Sequence, residues 1–200
     1  MGMRNGKLME NIQYSRHEFD LLEPPKVARI QLCHATVDEL APAREFAQKM
    51  LPGDIAAGPV LENAIEHNPD NLLLFCRNGE VVGIWAALML APMGVEQLLL
   101  GDFNAMDPDF QFLTPGGEVP AAIYKWAVVA PGLAAEGIRH VSRFMRQPRY
   151  VHANFFSRPN TEAGVKLNYS VGLRPIESQT PGLFRYIRLA NRKPQLSQAA

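Results

Sequence analysis

The stretch from Ala121 to Val141 constrains the fold more than any other part of the chain. An apolar run, Ala121 to Ala130, is bounded by Pro120 and Pro131. Its Ile123, Tyr124, Trp126, Val128 and Val129 suit a pleated, half-buried surface and predict a strand. After Pro131 and Gly132 the period changes. Leu133, Ile138, Val141, Phe144 and Met145 recur at helical spacings with charge between them. The reading is strand, tight turn, helix. A helix that begins just after a strand presents free backbone N–H groups and the positive end of its dipole, which together make a ready site for a phosphate.

Two hundred residues, 47% of them hydrophobic, suffice for one domain with a sizeable core. Lys+Arg and Asp+Glu each number 20, so the net charge is zero and no global field favours nucleic acid or an anionic membrane. The longest apolar run, Val81 to Met93, is broken by Gly83 and Pro92 and falls short of the roughly 18 residues of a membrane span. With a polar N-terminus, this leads to the expectation of a soluble, cytoplasmic protein. Cys33 and Cys76 sit in apolar runs and are expected as buried small hydrophobes in a reducing compartment. No Cys or His pair has metal-ligand spacing, and neither Gly-x-Ser-x-Gly nor a phosphate-binding Gly-Lys-Ser/Thr loop occurs.

Residues 1–26 read as an irregular arm, with Tyr14, Phe19, Leu21 and Leu22 available to dock it. One domain is expected over 27–190, followed by a polar tail, 191–200. Alternation predicts a strand over Val27 to Ala35, and Thr36 or Asp38 is placed to cap a helix bearing Leu40, Ala43, Phe46, Ala47 and Met50. A second helix is expected from Pro59 to His67. Asn78-Gly79 then joins two strands, Asn71 to Arg77 and Glu80 to Ala91, as a hairpin. Residues 92–118 read as an insertion with a short helix. Its Phe103, Phe110 and Phe112 either cover an apolar ligand or tie the loop to the body. After the central strand and helix, a strand is expected over Arg149 to Phe156 and a helix over Thr161 to Val171. A closing strand pair follows at Leu173 to Ile176 and Leu183 to Leu189. The fold class is α/β, a mixed, mostly antiparallel sheet with helices on both faces.

Two motifs sit on that order. Val129, Pro131, Gly137 and Ile138 match a V-x-P-x-x-[RQ]-x-x-G-[IL]-[GA] pattern. Asn160-x-x-Ala163, followed by Leu167, Tyr169 and Gly172-Leu173, is similar to an N-x-x-A…L-Y-x-x-x-G-F ending. Together they resemble the GCN5-related N-acetyltransferase (GNAT) superfamily over Val27 to Leu189. The chain departs from the pattern in places. Ala134 stands at the Arg/Gln place, Arg139 at the Gly/Ala place, Asn168 at the usual tyrosine place and Leu173 at the phenylalanine.

The resemblance implies a co-substrate, acetyl-CoA or another acyl-CoA, and no metal. Its pyrophosphate would meet the turn around Ala134, Ala135, Glu136, Gly137, Ile138 and Arg139. Its thioester would run beside Val128 and Val129, whose backbone groups polarise the carbonyl. Tyr169 is the nearest match to the family's acid for the departing thiolate. Asn160 either bonds the pantetheine or caps the helix after it. The acceptor implied is an amine of a small molecule or a protein. Two alternatives stay open: a non-catalytic binding module of the same fold, and transfer from an acyl carrier protein, which an arginine face (Arg139, Arg143, Arg146, Arg149) would suit. That face equally suits the 3′-phosphate of coenzyme A. Edge strands and an apolar arm are compatible with a homodimer.

Overall fold

The computed structural model describes residues 18–53 and 55–192. Tyr14 and the last residues of the tail lie outside them. Within them a seven-stranded sheet has the order β1-β2-β3-β4-β5-β7-β6. It is antiparallel throughout except for β4 and β5.

The chain enters through β1 (Gln31–His34), shorter than the expected strand, and α1 (Val37–Met50). Thr36 caps α1, and its N–H donates to the Glu39 carboxylate at 2.9 Å. Helix α2 (Gly58–His67) leads to the hairpin of β2 (Leu72–Arg77) and β3 (Glu80–Leu90). Asn78 and Gly79 carry positive φ, 53° and 84°, the backbone twist that a two-residue hairpin turn needs. The expected insertion holds a full helix, α3 (Pro92–Leu100), stopped by Gly101 in the left-handed region. Then come β4 (Ala122–Val129), α4 (Ala134–Phe144), β5 (Asn154–Ser157), α5 (Glu162–Ser170), β6 (Arg174–Pro175) and β7 (Phe184–Tyr186).

The two faces of the sheet bury different layers. Phe75, Trp85, Met89 and Ile123 pack with Ile138 and Val141 of α4. On the other face Leu72, Leu74, Ile84 and Val129 pack with Leu40, Ala43 and Ala47 of α1. Leu88, Leu90 and Tyr124 meet Leu98 of α3.

Two expectations are corrected. The strand expected over Arg149 to Phe156 is mostly turn before Asn154. Tyr150 and Ala153 are each buried, at 1% exposure, but they lie three residues apart in a turn, so their burial is not that of a paired strand. His152 accordingly lies in a turn, against Asn191. The arm is irregular over most of its described part, with no helix or strand over 22–25, but for one short turn. Phe19, in a short 3-10 turn, is buried against Phe155 and Tyr186, and Arg188 pairs with Asp20 at 2.7 Å. The cysteines are free but only half-buried, on neighbouring strands.

Candidate functional site

Strand β4 is paired on both sides at its start and on one side at its end. Its contact with β5 runs from Ala122↔Asn154 to Lys125↔Ser157 and stops there. On the β3 side the register slips at the same place, from Ala87↔Lys125 to Ala86↔Ala127, which leaves Trp126 as an extra residue. Such a bulge bends its strand and increases its twist. On the other strand the chain reaches Arg158 and Pro159, and proline has no N–H with which to extend a ladder. The two strands therefore part after Lys125. The edge of β4 from Trp126 to Val129 is left without a strand partner.

A cavity of about 570 Å³ fills the parting. Its walls are β4, the segment Ser157–Thr161, α1 and the loop around Phe103 and Met106. Trp126, Val128 and Val129 line it directly. Phe103 both lines the cavity and meets the Tyr124 ring edge-on at 6.0 Å, whereas Phe110 packs on His67. The insertion is thus tied to the body through Phe103 and Phe110, and Phe103 also forms part of the cavity wall. Burial pushes the Tyr124 phenol above its usual range, against a smaller lowering by Arg158.

Beyond Val129 the chain turns at Pro131-Gly132 into α4. Leu133 N–H donates to Ala130 O at 3.0 Å and Gly137 N–H to Leu133 O at 2.9 Å. Between them, Ala134, Ala135 and Glu136 have no backbone acceptor and no capping side chain among the described residues. Three donors at the positive end of a helix suit an anion.

The remaining candidates divide. The bare α-carbon of Gly137 faces the sheet, where a β-carbon would stand 2.7 Å from the Phe75 ring, and Ile138 is in the core. Glu136 turns its carboxylate to Arg29, 2.8 Å away. Burial works to raise that carboxyl. Hydrogen bonds from the Arg29 backbone and side chain outweigh it and hold the group below its ordinary value. Arg139 reaches Glu23 O at 3.3 Å and Arg146 bonds Leu22 O, so this part of the arginine face binds the protein's own N-terminal segment. Arg149 pairs with Asp70 at 2.8 Å. Asn160 lies at the rim of the cavity with Nδ2 3.5 Å from Pro52 O. The cap of α5 is Thr161, whose Oγ1 accepts from Gly164 N–H at 3.0 Å. Tyr169 is 45% exposed and outside the cavity wall, its ring set against Phe184 and the Arg174 guanidinium.

The structure also brings together Lys125, which the sequence reading did not single out, and Asn168, noted there as standing at the family's tyrosine place. Lys125, the last residue of β4 that pairs with β5, lines the cavity and donates from Nζ to Oδ1 of Asn168 on α5. Asn168 is fully buried. Desolvation lowers the Lys125 pKa from 10.5 to about 8. The signal was a lone lysine inside the apolar run of the central strand.

No family model matches the chain, and no curated protein matches it in sequence. Solved structures do. The loading GNATL domain of CurA from Lyngbya majuscula superposes with a TM-score of 0.59 at 13% identity, over 80% of this chain and 98% of that one. Ard1 from Thermoplasma volcanium does so at 0.51 and 10%, over 81% and 99%. The GphF GNAT-like decarboxylase in complex with isobutyryl-CoA gives 0.49 and 16%, and the chain spans 64% of its length. At these identities the shared property is the fold.

Proposed function

We propose, for a chain that has the fold of the GCN5-related N-acetyltransferases, that it binds an acyl-CoA and transfers the acyl group to an amine. The observation that carries this reading is the unpaired edge of β4, Trp126 to Val129. It opens on the cavity at one end and leads into the free N–H groups of α4 at the other.

The physics suits a long, phosphate-bearing thioester. The pyrophosphate would accept from Ala134, Ala135 and Glu136, where backbone donors need no particular side chain. This removes the need for Arg or Gln at position 134, because the donors belong to the main chain. The pantetheine amides would complete the ladder that β5 abandons, meeting backbone groups that otherwise face the cavity. A thioester carbonyl held against the N–H groups near Val128 and Val129 would be polarised where negative charge develops during attack. Holding donor and acceptor in one cavity makes the transfer effectively unimolecular. In the reaction a neutral amine attacks the carbonyl carbon, the carbon–sulfur bond breaks, and the amine proton and the thiolate are resolved through water.

Isothermal calorimetry with coenzyme A and acetyl-CoA tests the reading. Saturable binding at micromolar ligand is expected, and no binding at millimolar ligand would exclude it.

A further inference from the structure

Lys125 is an exception among the buried charges. The other buried ionised side chains among the described residues each have an opposite charge within 2.8 Å: Glu18 with Arg192, Asp70 with Arg149, Glu136 with Arg29 and Arg188 with Asp20. Lys125 is 9% exposed, and no carboxylate lies within ion-pair distance of it among the described residues. Its hydrogen bond goes to a neutral amide, Asn168. The cavity that it lines carries Arg44 and Arg158 as well, and no Asp or Glu among the described residues. Asn168, though 0% exposed, leaves its Nδ2 without a partner among the described residues. A buried charge and a buried donor both cost free energy when unmet. Two of them share one place, at the end of the strand pairing.

We propose that Lys125, positioned by Asn168, is the anchor for a carboxylate carried by the substrate. The ligand chemistry follows from the donors. The Lys125 ammonium lines the cavity beside the apolar Ala127 and Leu167 and supplies a single positive charge, which a monoanionic carboxylate would meet as an ion pair. Desolvation disfavours the ammonium in the empty cavity, and a bound carboxylate reverses that by favouring the charged form. The inference rests on the acyl-CoA reading and narrows it. The carboxylate belongs either to the acyl group or to the acceptor amine.

The test uses the full chain and two variants. Lys125→Met removes the ammonium at similar volume. Asn168→Asp is nearly isosteric and places an internal carboxylate beside Lys125, which would compete with a substrate carboxylate. In one arm, calorimetry compares succinyl-CoA with acetyl-CoA. In the other, Trp126 fluorescence follows alanine against ethylamine, which differ by the carboxylate, with and without coenzyme A. In one arm or the other, which thereby identifies the carrier, the wild type is expected to prefer the carboxylate about tenfold. Both variants are expected to lose that preference. Equal affinity for both ligands in both arms would overturn the proposal, as would a preference that survives Lys125→Met. Failure of acetyl-CoA to bind would instead remove the acyl-CoA reading, and the amine pair titrated alone would still decide whether Lys125 anchors a carboxylate.

Discussion

Gly137 packs its bare α-carbon against the ring of Phe75, so closely that a β-carbon would come within 2.7 Å of the ring. The glycine of the turn motif thus serves the sheet. It lets α4 lie close enough to β2 for Ile138 and Val141 to share a core with Phe75 and Trp85. Gly137→Ala would gain up to about 1 kcal/mol of helix propensity. The overpacking it forces costs more, about 1–3 kcal/mol. Urea denaturation is expected to show a net loss of stability. An unchanged or higher midpoint would mean that the Phe75 ring moves aside freely.

The ion pair between Glu136 and Arg29 ties α4 to the segment before β1 and has a pH signature. The folded pKa of Glu136 lies below its ordinary 4.5. Its contribution to stability is therefore fully present above that value and is lost as pH falls through the folded pKa. Glu136→Gln should be less stable than wild type at pH 7, and the gap should narrow below about pH 4.5. Thermal melts at both pH values would measure it.

Lys125 has the opposite sign. Its pKa is about 8 in the fold against 10.5 ordinarily, so the unfolded chain holds the proton more tightly between those values. Wild-type stability should therefore rise from pH 8 to pH 10.5 relative to Lys125→Met. Below pH 8 the variant should be the more stable, by an upper limit of roughly 3 kcal/mol, less what the orphaned Asn168 costs. Denaturation of both proteins across that range would show whether the two curves converge.

Tyr169 stands outside the cavity wall, its ring packed against Phe184 and the Arg174 guanidinium. Tyr169→Phe should leave coenzyme A affinity and any turnover within about twofold. A loss of turnover by orders of magnitude with affinity kept would return the acid's role to this residue.

Much of the fold could be read along the chain, because its signals are local. Thr36 with Glu39, Asn78-Gly79, and Gly101 and Gly172 after helices announce their own caps and turns. Helix α3 was legible only as a short helix within the 92–118 insertion, since Gly94 and Leu98 are its buried residues and so little burial writes no clear period. The turn motif was legible in outline, and its roles were not. Gly137 and Arg139 looked like parts of a phosphate site, yet one packs on Phe75 and the other reaches Glu23. Lys125 and Asn168, 43 residues apart, meet only because β4 and α5 flank the same parting of strands, a long-range fact that no window of sequence contains.

The most direct test of the cleft is a crystal structure of the protein soaked with acetyl-CoA. The thioester should run along the free edge of β4 from Trp126 to Val129, with the pyrophosphate on the N–H groups of Ala134, Ala135 and Glu136. Ligand bound elsewhere, or an empty cleft at millimolar acetyl-CoA, would contradict it.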